Sequence, residues 1–246
     1  LEDLKTLLRP DTILVTIGAV NSEVGLRQPI EEIGELLKEY PCYFHVDATQ
    51  AIGKIKIDFR NVDLISFTAH KFYGIKGIAC LVKKESILME PLIHGGKSTT
   101  KYRSGTPALP LIVSMAKALR LIDEELDTNY QHTLELNQYL KEQLKNINQI
   151  KINSNEKAIP HILNISVMGI KPETMQHALE EYDIYISTQS ACSSNNPISR
   201  SVLEATKDEE TAKHSIRIGL SGITTKEEID QLLVALKECL ERLHIK

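Results

Sequence analysis

Residues 64–77 read LISFTAHKFYGIKG, and this stretch indicates the class of fold. The short apolar run Leu64–Phe67 is typical of a buried strand, and Lys71 follows it almost at once. Ligands of open α/β sheets gather at the carboxyl ends of the strands. A partly desolvated lysine at that edge can form a Schiff base with a carbonyl. The competing interpretation of Lys71 is an ordinary surface lysine in a loop.

Apolar runs on either side extend the pattern. We expect further strands at Ile13–Ile17, Tyr43–Val46 and Ile78–Val82. A helix that starts at Pro29 carries its apolar side chains on one face, namely Ile30, Ile33, Leu36 and Leu37. The strands are apolar through both faces, which predicts a covered, mostly parallel sheet in an α/β fold.

After Pro107 the chain becomes richer in long amphipathic helices. The expected helices are Leu109–Leu126, Thr133–Ile147, Pro172–Tyr182 and about Lys226 to Ile245, and the expected strands are Ile162–Val167, Ile184–Ser187 and Ser215–Leu220. Residues 224–228, TTKEE, form a capping box before the last helix. We therefore expect residues 1–120 to belong to a large α/β domain and residues 121–246 to form a smaller α+β domain.

Composition excludes several classes of function. The net charge of −4 over 246 residues does not indicate a basic surface for binding nucleic acid. No apolar run is long enough to span a bilayer.

The four cysteines are too scattered to predict a zinc site or disulfides, so no metal is expected and a reducing cytoplasm is the expected location. Three of them lie in apolar stretches and are expected in the core: Cys42, Cys80 and Cys239. Cys192 instead lies in QSACSSNNP, residues 189–197, which is typical of an exposed loop.

Polar residues follow the predicted strands. Asp47 comes directly after Tyr43–Val46 and could hold the charge of a protonated ring nitrogen, or could equally be a turn or N-cap aspartate. Thr68 and His70 could donate hydrogen bonds to a phosphate.

Two arginine-containing stretches are further candidates. Arg103–Thr106, RSGT, precede a predicted helix and could form an anion-binding turn. Arg217 lies in an otherwise apolar strand and needs a carboxylate partner, because burying an unpaired guanidinium is costly. That partner could be an internal acidic residue or a substrate.

Together these motifs resemble a known family. The segments AVNSEVG, HVDATQAIGK, SFTAHKFYGIKG, RSGTPALP, SACSS and SIRIGLSGITTKEEID occur in the order and rough spacing of cysteine desulfurases. The chain resembles the NifS/IscS type within the class-V aminotransferase-like enzymes of fold type I, which use pyridoxal 5′-phosphate (PLP). The resemblance covers essentially all 246 residues.

The resemblance implies roles in cofactor binding. Lys71 would carry PLP on its amine, and Asp47 would pair with the pyridine nitrogen. Gln50 and Asn21 would lie near the ring oxygen. The phosphate would be contacted by Thr68 and His70, and in the other subunit of a homodimer by Thr106.

The resemblance also implies a reaction. Arg217 and Asn21 would bind the substrate, L-cysteine, and the catalytic thiolate of Cys192 would take its sulfur as a persulfide, leaving L-alanine. A sulfur-acceptor protein, such as an iron–sulfur cluster scaffold or a tRNA-thiolation enzyme, would then receive the sulfur.

Three departures from the family pattern qualify these expectations. Ser22 follows Asn21 where the family usually has a second asparagine, and the stretch before RSGT lacks the usual glutamate. Leu1 also falls in mid-pattern, so we expect a preceding segment with a Gly-Thr phosphate loop and a histidine that stacks on PLP. Without it we expect weak PLP binding, slow turnover and exposed apolar surface. A selenocysteine lyase, another class-V PLP enzyme and a non-catalytic scaffold are the alternatives.

Overall fold

The computed structural model describes residues 1–97, 99–189 and 198–243. These residues divide into two compact units. The first unit comprises residues 1–19 and 28–126, and the second comprises residues 20–27 and 127–246. The assignment of domains to residues 1–120 and 121–246 stays a prediction.

The first unit is a four-stranded, mostly parallel sheet with helices. In chain order its elements are α1 (Glu2–Leu7), β1 (Leu14–Gly18), α2 (Ile30–Leu37), β2 (Tyr43–Asp47), β3 (Leu64–Thr68), a 3-10 turn (Ala69–Lys71), β4 (Ala79–Lys83) and α3 (Leu109–Glu124). The strand order is β1-β2-β3-β4; the first three strands are parallel and β4 is antiparallel to β3. The four predicted strands and the α/β class are therefore confirmed, with bounds moved by a residue.

One face of this sheet is apolar and buried. Phe44 and Val46 point to that face and are almost fully buried. Ile30, Ile33 and Leu37 of α2 are also buried, as the spacing of the helix predicts.

The opposite face carries large apolar side chains that are half exposed, namely Leu14 (50%), Tyr43 (50%) and Leu81 (48%). The prediction that both faces are covered is therefore wrong for the described residues, while the expected exposed apolar surface is confirmed. The apolar pattern of the strands led to this wrong prediction, because parallel strands are apolar on both faces whether or not both faces are covered within one chain.

The second unit packs helices on a three-stranded antiparallel sheet. Its elements are α4 (Leu126–Leu144), β5 (Ile150–Ile152), β6 (Ile162–Val167), α5 (Pro172–Glu180), α6 (Arg200–Thr206), α7 (Glu209–Lys213), β7 (Ser215–Gly219) and α8 (Lys226–Leu243). The strand order is β5-β6-β7, and every residue of β6 is buried. The predicted capping box forms at α8: Glu228 Oε2 accepts from Thr225 N at 2.8 Å, and Thr225 Oγ1 accepts from Glu228 N at 3.2 Å.

Several sequence expectations fail in this unit. Ile184–Ser187 is not a strand; only Ser187 bridges to β7, because Asp183 adopts a left-handed conformation (φ 58°) after α5 and the chain reaches β7 only at Ser187. α4 begins seven residues before the predicted Thr133. Three further elements, β5, α6 and α7, were not predicted, because at three to seven residues they are too short to show a periodic pattern.

The described cysteines differ in burial. Cys239 lies in the core, as predicted, and Cys80 is partly buried against the core cluster that contains Phe67 and Phe72. Cys42 is only partly buried, so its core assignment is wrong. Cys192 lies outside the described residues.

Within the described ranges, no helix combines the length and apolar character that crossing a membrane requires.

Candidate functional site

In the first unit, polar residues gather where β2 and β3 end. Asp47 is the last residue of β2 and pairs in register with Ser66 of β3, two residues before Thr68. Since side chains alternate along a strand, Asp47, Ser66 and Thr68 share one face of the sheet. The parallel register therefore brings Asp47 and the end of β3 to the same edge of the sheet, as the positions of Asp47 and Lys71 after their strands predict.

Asp47 presents a carboxylate with spare acceptor capacity. Its Oδ1 accepts from Thr49 N at 2.9 Å, and its side chain is exposed at the end of a strand whose Val46 is fully buried. No other hydrogen-bond donor among the described residues contacts this carboxylate. A rigid strand therefore holds an anionic oxygen toward solvent, where it can pair with a cationic ring.

Lys71 ends the 3-10 turn that follows β3, and its side chain is exposed. Its neighbours are firmly held: Ala69 is fully buried, Phe72 is 2% exposed, and the ring centroids of Phe67 and Phe72 lie 6.1 Å apart. Within the described part of the chain, the Lys71 amine makes no hydrogen bond or ion pair. An amine without a partner on a fixed turn is available for reaction with a carbonyl.

Gly53 is part of what holds this turn. Its φ is 76°, and a Cβ added there would lie 2.9 Å from Phe72 Cβ and 3.1 Å from Ile122 Cγ1. A side chain at position 53 would therefore push directly on the residue that follows Lys71.

Gly53→Ala is expected to lower the free energy of unfolding by about 2–4 kcal/mol, because left-handed backbone strain adds to overpacking. The expected fall in Tm is on the order of 5–10 °C in thermal unfolding followed by circular dichroism. Gly18→Ala is the matched control, since a Cβ there meets no atom within 4 Å. Equal Tm values for the two variants would contradict this packing argument.

Thr68 and His70 are joined to each other. Thr68 Oγ1 donates its only proton to Ile78 O at 3.1 Å. In the contact of 3.0 Å between Thr68 Oγ1 and His70 Nδ1, the hydroxyl oxygen is therefore the acceptor. The predicted phosphate contacts of both residues stay predictions.

Gln50 and Thr106 lie in the same unit. Gln50 Oε1 accepts from Lys54 Nζ at 2.7 Å, which leaves the amide N–H donors of Gln50 for a ring oxygen. Thr106 is exposed in the RSGT turn, where Arg103 Nη1 donates to Thr106 O at 3.3 Å and Gly105 has φ 99°. Their cofactor roles stay predictions.

Asn21 and Arg217 lie in the second unit. Asn21 Oδ1 accepts from Glu23 N at 2.9 Å and Val24 N at 3.0 Å, and Asn21 Nδ2 donates to Ser201 Oγ at 3.1 Å. Arg217 Nη1 donates to Ser22 O at 2.8 Å. Burial lowers the pKa of Arg217, and the negative charge of Glu23 opposes that shift. Their substrate contacts stay predictions.

Sequence reasoning missed other polar residues near these sites. His45 Nε2 lies 3.0 Å from Ser66 Oγ on the face shared with Asp47. The alternation in residues 43–47, YFHVD, could have placed His45 beside Asp47. Glu23 is 5% exposed and accepts from Ser199 Oγ at 2.5 Å, a contact 176 residues apart that no local pattern reveals.

The first unit's polar edge fits PLP by the chemistry of its donors. Lys71 supplies an amine for the aldehyde, Asp47 a carboxylate for the ring cation, and His70 a nitrogen for the phosphate. Neither the Asp47 carboxylate nor the Lys71 amine has a charged partner among the described residues.

Comparisons with known proteins show which family the chain resembles. The family model described as aminotransferase class-V matches residues 1–232. The chain is 41% identical to the mitosomal cysteine desulfurase of Encephalitozoon cuniculi, covering 99% of this chain and 57% of that protein. It is 39% identical to the cysteine desulfurase IscS of Vibrio vulnificus, covering 99% of this chain and 61% of that protein. The chain thus spans less than two thirds of the length of these curated relatives.

Solved structures agree with the sequence comparisons. A structure described as a NifS-like protein superposes with a TM-score of 0.88 at 37% identity, covering 100% of this chain and 65% of that one. The X-ray structure of a NifS-like protein from Rickettsia africae gives a TM-score of 0.87 at 28% identity, covering 98% of this chain and 65% of that one. The fold-type-I expectation is confirmed by these superpositions.

Proposed function

Because this chain belongs to the class-V aminotransferase family, a PLP-dependent family, we propose that it carries out the cysteine desulfurase reaction, from L-cysteine to L-alanine, with sulfur transferred to Cys192. The observation that carries the proposal is the Lys71 amine, which has no partner among the described residues and lies on the strand-end edge that it shares with Asp47. The relatives' names, cysteine desulfurase, favour this reaction over others of the family.

PLP is the proposed cofactor. Lys71 would hold its aldehyde carbon, Asp47 its ring nitrogen, Gln50 its ring oxygen, and Thr68 and His70 its phosphate. When bound, PLP withdraws electrons from the substrate's α-carbon. Asp47 would keep that withdrawal strong by stabilising the positive charge on the ring.

The chain's own groups would then bind the substrate and move its protons. Arg217 and Asn21 are proposed to bind the substrate, with the guanidinium donating to its carboxylate in a bidentate fashion. The amine of Lys71, once released by the substrate amine, would take the proton from the α-carbon.

The sulfur step would be nucleophilic. The Cys192 thiolate forms an S–S bond with the substrate sulfur as the substrate C–S bond breaks. The electron pair of that bond stays on carbon, which takes up a proton and becomes the methyl group of L-alanine. Cys192 is left as a persulfide, so the atoms and electrons balance without a further oxidant.

Partners follow from the same proposal. A homodimer is proposed, with Thr106 reaching the PLP phosphate of the partner subunit. The persulfide would pass to a sulfur-acceptor protein, either an iron–sulfur scaffold or a tRNA-thiolation enzyme. A cytoplasmic location is proposed because a free thiolate needs reducing conditions; one relative is mitosomal by name.

The proposal is tested by incubating the protein with PLP and L-cysteine and measuring L-alanine and protein-bound persulfide. We expect equimolar alanine and persulfide in the first turnover when no acceptor is present. Alanine release no faster than with PLP alone would refute the proposal. Faster release from L-selenocysteine than from L-cysteine would instead identify a selenocysteine lyase.

A further inference from the structure

The guanidinium of Arg217 donates two hydrogen bonds to the described residues, and its other N–H groups have no acceptor among them. Nη1 donates to Ser22 O at 2.8 Å, and Nη2 donates to Ser187 Oγ at 3.0 Å. Each terminal nitrogen of an arginine carries a second N–H, and Nε carries one more. Those remaining donors have no acceptor among the residues that the structure describes, although the side chain is largely buried.

Ser187 is fixed opposite Arg217 by its backbone as well. Ser187 N donates to Arg217 O at 3.1 Å, and Arg217 N donates to Ser187 O at 2.6 Å. This isolated antiparallel bridge is the only pairing between the 184–187 segment and β7 in the described chain. The Ser187 hydroxyl is thus a fixed acceptor, whereas a hydroxyl on a loop would move with its backbone.

The buried carboxylate of Glu23 supplies the opposing charge. Burial lowers the pKa of Arg217, and the negative charge of Glu23 opposes that shift. Glu23 is itself held, since its backbone N donates to Asn21 Oδ1 and its carboxylate accepts from Ser199 Oγ. The guanidinium can therefore stay charged while its free N–H groups remain available to an added anion.

We propose that Ser187 is a positioning residue that sets the plane of the Arg217 guanidinium for binding a substrate carboxylate. The inference rests on the proposed function for the identity of the substrate. Bidentate recognition requires two N–H groups to be coplanar with the carboxylate. Ser22 O alone fixes one nitrogen and leaves the plane free to rotate; Ser187 Oγ fixes the second.

The test uses side-chain NMR of the 246-residue chain, titrated with L-alanine. We expect the Arg217 Nε–H resonance, identified by its absence in Arg217→Lys, to shift with L-alanine and not with ethylamine, which lacks the carboxylate. Ser187→Ala is expected to raise the Kd for L-alanine about tenfold, as loss of a hydrogen bond to a charged group predicts. Ser187→Thr, which keeps the hydroxyl, is expected to stay within about twofold of the wild type.

Ser215→Ala is the matched control. Ser215 is a buried serine on the same strand whose hydroxyl donates to Ala212 O and not to Arg217. A merely structural role for Ser187 would give Ser187→Ala and Ser215→Ala the same Kd, and that result would overturn the inference. An Arg217 Nε–H resonance that does not shift when L-alanine is added would also overturn the inference.

This readout is separate from turnover. A protein whose Arg217 responds as expected but which releases no alanine from cysteine would refute the proposed function and leave the inference standing. A protein that turns cysteine over, with an unchanged KM in Ser187→Ala, would refute the inference and leave the proposed function standing.

Discussion

Lys71→Ala is expected to abolish covalent attachment of PLP and to lower alanine release from cysteine by about 10²–10⁴-fold or more. The reason is that the variant removes both the amine proposed to hold the cofactor and the base proposed to act at the substrate's α-carbon. The structure supports this role because the Lys71 amine has no hydrogen-bond or ionic partner in the described part of the chain, and its turn is held by buried Ala69 and Phe72. Attachment is measured by borohydride reduction and mass spectrometry of the pyridoxyl-labelled peptide.

Lys76→Ala is the control for this variant. Lys76 is an exposed lysine of the same loop, five residues further on, and its removal should leave both label and rate unchanged. Lys71→Arg separates charge from chemistry, since it keeps the cation but cannot hold an aldehyde. A pyridoxyl label that persists in Lys71→Ala, or one found on Lys76 in the wild type, would contradict the assignment.

Cys192→Ala is expected to abolish the persulfide while leaving the pyridoxyl label on Lys71 intact. The thiolate, not the thiol, is the nucleophile, so the pKa of each cysteine decides which one reacts. Burial raises the pKa of Cys42, Cys80 and Cys239, which reduces their thiolate fractions at neutral pH. Among the four cysteines, Cys192 is the one whose small, polar sequence neighbours favour access to solvent.

Cys80→Ala is the matched control, because Cys80 is half-buried and removing its thiol should not change sulfur transfer. Persulfide is measured by alkylation, tryptic digestion and mass spectrometry after one turnover with L-cysteine. We expect the added sulfur on the peptide that contains Cys192 in both the wild type and Cys80→Ala. Added sulfur on the Cys42 or Cys80 peptide of Cys192→Ala would disprove the choice of nucleophile.

Local patterns predicted much of the first unit and its polar edge. The strand β3 and Lys71 are adjacent in sequence, so the strand period and the position of the lysine are visible in one stretch of residues 64–77. Asp47 follows β2 in the same way, and parallel strands end at the same edge. The helix α8 was predicted equally well, since its capping residues Thr225 and Glu228 lie within one turn.

Contacts distant in sequence were beyond such patterns. The Thr68 hydroxyl donates to Ile78 O because β4 runs antiparallel to β3. The sequence alone predicts a phosphate contact for that proton. Asp183 adopts a left-handed conformation, and the expected strand Ile184–Ser187 forms only the single bridge at Ser187.

Periodicity and neighbours a few residues away were enough to predict the fold family, the strand ends and the polar side chains that follow them. The way Arg217 is held depends on tertiary contacts, because its acceptor Ser22 O lies 195 positions away and Ser187 Oγ lies 30 positions away. A buried guanidinium takes its orientation from whatever acceptors packing brings to it, and packing is a property of the whole unit.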